Sequence, residues 1–226
     1  MNTTMQSMHS PTAAPEKQGR GCLFYLFVSI IVFVLALGGA GYFGYRYITG
    51  KLGEFVQEYT SDTPAVLPKE NLTEEEIAQV NTRTQQFVSA VNSGQSADPL
   101  VLTGKDINAL IAGSPDFAMF KDSVHVSISD SNVTGEISLP LDEFGYPGRY
   151  LNGKATFSVQ IIGENLDVRI SELVVKGQPA PDAFMSAIKG QNLAEDNKIK
   201  SEESKFLSKI QRLDVKDGKI IITPRS

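Results

Sequence analysis

Residues 124–141 read VHVSISDSNVTGEISLPL. Val124, Val126 and Ile128 alternate with His125, Ser127 and Ser129, the period of two that puts one set of side chains on each face of a strand. Asp130-Ser131-Asn132 predicts a turn, after which Val133, Ile137, Leu139 and Leu141 resume on one face. The pattern spreads C-terminally. Phe157, Val159 and Ile161 predict a third strand, Gly163-Glu164-Asn165 a turn, and Leu166, Val168 and Ile170 a fourth. In that fourth strand the apolar phase is even up to Ile170 but odd at Leu173 and Val175, so a bulge is expected near Ser171-Glu172. Each strand keeps one wet face, which suits an antiparallel sheet covered on one side.

Helices flank this meander. Thr73-Glu74-Glu75-Glu76 is a capping-box start, with Leu72 placed to staple onto Ile77. Ile77, Val80, Thr84, Phe87, Val88 and Val91 then recur at helical spacing, and Gly94 ends the run. Thr103 and Asp106 repeat the same grammar ahead of Ile107, Leu110 and Ile111, and Gly113 and Pro115 stop that helix. A short helix is expected over Pro181–Ile188 and another over Ser201–Ile210, with Phe206, Leu207 and Ile210 inward. Leu213 and Val215, Asp217-Gly218, then Ile220 and Ile222 predict a closing hairpin with a type I′ turn.

At the N-terminal end, Leu23 to Ile48 reads LFYLFVSIIVFVLALGGAGYFGYRYI, with Arg46 its only charge. That run is long enough to cross a hydrocarbon core as a helix. A cleaved secretory signal is the alternative, with Ala36, Gly38, Gly39 and Ala40 as the small residues near a cleavage point. The expected organisation is a disordered tail over 1–20, a transmembrane helix over 21–48, a linker over 49–71 in which Pro64 and Pro68 interrupt any continuing helix, and an α+β domain over 72–226. The expected fold class is α+β: one N-terminal transmembrane helix, then a curved antiparallel sheet with helices packed on one side. Ala36, Ala40 and Gly44 share a helical face at spacing four, a small-residue pattern that permits helix association and a homo-oligomer. A short tail before the apolar run and a whole domain after it predict a cell-membrane protein with its domain outside the cytoplasm.

The net charge is -5. Lys17 and Arg20 against Glu16 give the tail +1, so the remainder carries -6. An acidic domain argues against nucleic acid, which needs clustered Lys and Arg. Cys22 is the only cysteine, so no intrachain disulfide and no thiolate metal cluster can form. No metal or cofactor is implied.

Chemistry is sparse. His125 is the only histidine outside the tail. Its place on the polar face of a strand predicts a solvated ring, and sequence spacing offers it no orienting carboxylate. Asp142 and Glu143 point to opposite sides of an extended segment. Glu74-Glu75-Glu76 and Glu202-Glu203 suit helix first turns. Asp214 and Asp217 lack the spacing of a calcium loop. Asn71-Leu72-Thr73 and Asn132-Val133-Thr134 match glycosylation sequons. The stretch Phe144 to Gly153, FGYPGRYLNG, stands out as a loop longer than a hairpin needs. Phe144, Tyr146, Arg149, Tyr150 and Asn152 are of types that suit partner or ligand binding. The competing reading is a structural loop with Asn152-Gly153 making a turn.

The order of elements resembles small single-pass bacterial envelope proteins of the YpmS type. The residues that carry the likeness are Leu102 to Ile111, the meander from Val124 to Val175, and Gly177 to Pro181. The resemblance implies an envelope address and an outer α+β domain, without a mechanism. At the level of fold alone, a long helix beside a curved sheet is similar to tubular lipid-binding domains. The functional expectation is a non-enzymatic, membrane-anchored protein whose domain binds a partner protein or a lipid-like ligand. An assembly subunit and, more remotely, an anchored hydrolase are the alternatives.

Overall fold

The computed structural model describes residues 58–226 apart from 116–119, 143–144, 164, 181, 183–184, 187–188, 195–204 and 226. Helix α1 spans Glu74–Asn92, strand β1 Leu100–Thr103, and helix α2 Gly104–Gly113. Five strands follow: β2 Val124–Ser129, β3 Asn132–Pro140, β4 Tyr150–Ile162, β5 Asn165–Val175 and β6 Gln178–Pro179. A last hairpin is made of β7 Ile210–Lys216 and β8 Lys219–Pro224.

Both capping boxes form. Thr73 and Glu76 exchange side-chain and backbone bonds at the start of α1, and Thr103 and Asp106 do so at the start of α2. Lys105 pairs with Glu76, so its ammonium draws the Glu76 carboxyl below the usual carboxylate range, helped by the Thr73 amide. The β4–β5 register slips between Thr156 and Phe157, which face Glu172 and Ile170. Ser171 is the extra residue, so the bulge lies where the phase change puts it. Asp217 and Gly218 both take positive φ, +52° and +70°, as a type I′ turn needs.

The strands form two antiparallel sheets, not one. The larger has the order β2-β3-β4-β5-β6 and the smaller the order β1-β8-β7. The closing hairpin pairs with β1, which period-two reading had no room to show in four residues, and Leu100 lies opposite Ile222. Two asparagines cover edges of the large sheet. The Asn108 side chain accepts from the Val126 amide and donates to the Val126 carbonyl, both at 2.8 Å, and so covers the β2 edge. Asn192 accepts from the Val168 amide at 2.9 Å and donates to the Leu166 carbonyl at 3.0 Å, covering the β5 edge. Edges satisfied in this way do not recruit further strands.

The fold class is therefore corrected. What covers the inner face of the large sheet is a second sheet as much as helices: β7 packs across β4 and β3, while α2 packs on β2 and α1 on α2. Val126, Val133, Ala155 and Phe157 from one sheet and Ile210, Ile220 and Ile222 from the other are at most 1% exposed and belong to one core. The Gly218 amide reaches the Asp130 carbonyl at 3.4 Å, so the two hairpin tips meet. No helix among the described residues is long and apolar enough to cross a membrane. None of the described helices carries the expected single-pass, signal-anchored membrane architecture; residues 21–48, with Ala36, Ala40 and Gly44, lie outside the described residues. Of the two short helices, the expected Ser201–Ile210 segment ends early, since Ile210 already begins β7.

Candidate functional site

The most distinctive local structure lies between β3 and β4. Pro140 ends β3, and Leu141 is buried at the start of the connection. The Leu141 carbonyl accepts from the Tyr146 amide and the Leu141 amide donates to the Arg149 carbonyl, so the loop closes on itself. The Asp142 carboxylate accepts from the Gly148 amide at 3.1 Å. Gly148 has φ +71° with open space around it, so backbone conformation and not room selects glycine there. Tyr146 packs partly buried against the core. Phe144 lies outside the described residues.

The loop ends sooner than its composition predicts. Tyr150 to Gly153 belong to β4, with Leu151 opposite Leu139, Asn152 opposite Ser138 and Gly153 opposite Ile137. The Asn152-Gly153 turn does not form, because pairing on both sides of β4 overrides a local turn preference. Leu151, Ala155, Phe157 and Val159 point to the core. Tyr150, Asn152, Lys154 and Thr156 therefore point to the outer face, where Lys154 forms an ion pair with Glu136 at 3.0 Å.

Across that outer face runs the segment 60–70. Arg149 donates from Nε to the Thr60 hydroxyl at 2.8 Å and from Nη2 to the Thr60 carbonyl at 2.6 Å. Ser61 and Tyr150 exchange both main-chain bonds, at 2.9 and 2.8 Å, in an antiparallel bridge. The Asn152 amide donates to the Thr63 carbonyl at 3.0 Å. The Ala65 amide is offered to Asn152 Oδ1 at 3.1 Å and to Ser138 Oγ at 3.0 Å. Pro64 and Pro68 hold the segment extended, as Pro and its predecessor favour. What reads as linker by composition is a strap fastened to the sheet.

The far end of the strap explains His125. Its ring is not solvated: the side chain is 12% exposed, and Nε2 lies 3.3 Å from Glu70 Oε1. The Asn108 amide donates to the same carboxylate oxygen at 2.9 Å. The orienting carboxylate thus comes from the strap, 55 positions away in sequence. Glu70 Oε2 and His125 Nδ1 are buried with no hydrogen-bond partner among the described residues. Each such atom costs on the order of 1–3 kcal/mol, so this end of the strap is held less favourably than the Arg149 end. A histidine–carboxylate pair is half of a nucleophilic constellation. Among the described residues the group hydrogen-bonded to the pair is the Asn108 carboxamide, itself tied to the Val126 backbone.

Of the five predicted binding residues, Arg149, Tyr150 and Asn152 come together against the strap and Tyr146 lies in the adjoining loop. Thr60, Ser61, Ala65, Glu70, Asn108 and Ser138 complete this arrangement and had no sequence signal beyond the extended conformation that Pro64 and Pro68 impose. Among the described residues no three His, Cys, Asp or Glu side chains group as metal ligands. The chain matches no protein-family model, no curated protein and no solved structure. The resemblance to YpmS-type proteins accordingly assigns no residue a role.

Proposed function

We propose that this chain carries a non-enzymatic binding domain that recognises a partner protein through the Leu141–Arg149 loop and the outer start of β4. One observation carries the reading. Arg149, the Tyr150 main chain, Asn152 and Ser138 project from one rigid corner and already grip an extended backbone. Such a corner reads main-chain donors and acceptors, the means by which sheets bind peptides. The lipid-like ligand is the weaker reading, because an acyl chain between the sheets would have to displace Phe157, Ile210 and Ile220, each at most 1% exposed.

Pro147 is exposed beside this corner, so an arginine there blocks the face without touching the core. Proteins retained by the immobilised full chain are to be quantified for wild type, Pro147→Arg and Ile162→Arg, the last at an exposed site at the other end of β4. A partner lost with Pro147→Arg by about tenfold or more, the 1.4 kcal/mol scale of one hot-spot contact, and kept with Ile162→Arg supports the reading. Equal retention by all three contradicts it.

A further inference from the structure

We infer that residues 60–70 are an intramolecular ligand, and that the strap and an extended segment of the partner compete for the same corner of the sheet. The inference rests on the partner-binding reading above and names what the partner presents there. At this corner the strap is held mostly through its backbone. The Thr60 carbonyl, both main-chain groups of Ser61, the Thr63 carbonyl and the Ala65 amide belong to the backbone, and the buried Thr60 hydroxyl adds a side-chain contact. An extended segment of another chain, in the same direction along β4, presents the same donors and acceptors. The reading groups stay in place when the strap leaves, since Tyr150 and Asn152 are paired to Pro140 and Ser138 within the sheet.

The two ends of the strap differ, and the difference gives a route for release. At Thr60–Ala65 every strap atom named above is bonded at 3.1 Å or less. At Glu70, Oε1 lies 3.3 Å from His125 Nε2 and accepts from the Asn108 amide at 2.9 Å, but Oε2 and His125 Nδ1 are buried without a hydrogen-bond partner among the described residues. Ionisable groups at that end are Glu70, Lys69 beside it in the chain and the His125 ring, with Lys105 close enough to interact with the Glu70 carboxylate. The strap is thus fully bonded where it imitates a partner and incompletely bonded where it joins the helical part of the domain, so displacement begins at Glu70 and ends at Thr60.

The test uses a labelled synthetic peptide of residues 58–71, EYTSDTPAVLPKEN, and the full-length chain. In one variant Ser61→Pro and Ala65→Pro together remove the two strap amides that the corner holds. That variant binds the peptide, and the wild-type chain binds it about tenfold or more weakly, because a tethered competitor acts at millimolar effective concentration. Adding Asn152→Ala to the strap variant abolishes the binding. Failure of the strap variant to bind, or equal binding by wild type, overturns the inference. Should the strap variant not fold, amide exchange on the intact chain decides. Arg149→Ala and Asn152→Ala speed exchange at Ser61 and Ala65 but leave Val168 unchanged, whereas unchanged Ser61 and Ala65 overturn the strap as a releasable ligand. The partner reading fails separately: if the strap variant retains no more partner than wild type while Pro147→Arg still loses it, competition is wrong and partner binding stands.

Discussion

Asparagine and aspartate side chains carry much of the specificity of this fold. Asn108 imitates a neighbouring strand by satisfying both main-chain groups of Val126, and it also donates to Glu70. Asn108→Ala strips a buried amide and carbonyl at once, with an expected loss of about 2–4 kcal/mol in denaturant unfolding. A loss near zero would mean that β2 does not need the cover. Asp167 is 4% exposed and bonded by Arg169 Nε at 3.0 and 3.1 Å and by Gln160 at 3.1 Å. The Arg169 guanidinium, with help from Gln160 and against the cost of burial, holds the Asp167 carboxyl below the usual carboxylate range. A lowered folded value means that the native state favours the ionised form. Its stabilisation is complete above the unfolded value near ~4 and fades as pH falls through the lower folded value. Asp167→Asn is therefore expected to be less stable than wild type at neutral pH by roughly 1–2 kcal/mol, a gap that closes on acidification towards pH ~2. A gap independent of pH would remove the ion pair as its cause.

At the scale of elements, α1 and α2 meet at a glycine. A Cβ on Gly113 would lie 2.5 Å from Ile77 Cγ2 and 2.8 Å from Asn81 Nδ2. Gly113→Ala forces the helices apart, at an expected cost of about 1–3 kcal/mol, and Ile77→Ala in the same chain should recover part of it. No recovery in the double variant would place the strain elsewhere. The elements that were legible in the sequence are those whose signals are local. The capping boxes at Thr73 and Thr103, the phase change at Ser171 and the Asp217-Gly218 turn each specify their own backbone within a few residues. β1 was not legible, since four residues too few to show a period become a strand only by pairing with β8. Asn152-Gly153 carries a turn signal that β3 and β5 overrule. The candidate site was half legible. Arg149, Tyr150 and Asn152 stand out by type and place, but Glu70, His125 and the strap meet only through the tertiary fold.

For the whole molecule, the two sheets share one interior. Phe157 on β4 is 1% exposed, and β7 crosses β4. Phe157→Ala is expected to cost about 3–5 kcal/mol and to shift a single unfolding transition seen equally by near- and far-ultraviolet circular dichroism. Two separated transitions would show that the small sheet folds by itself. The strap lies on the opposite, polar face of the large sheet, so the core and the proposed binding corner are mechanically joined through β4 yet chemically separate. Substitutions in one need not disturb the other. The most direct test of the partner-binding claim is photo-crosslinking of the full-length chain in its own cells, with the photoreactive residue at Pro147 and, as control, at Ile162. A discrete protein adduct from position 147, absent from position 162 and weakened by Arg149→Ala, is the result expected. No adduct from 147, or the same adducts from both positions, would contradict the claim.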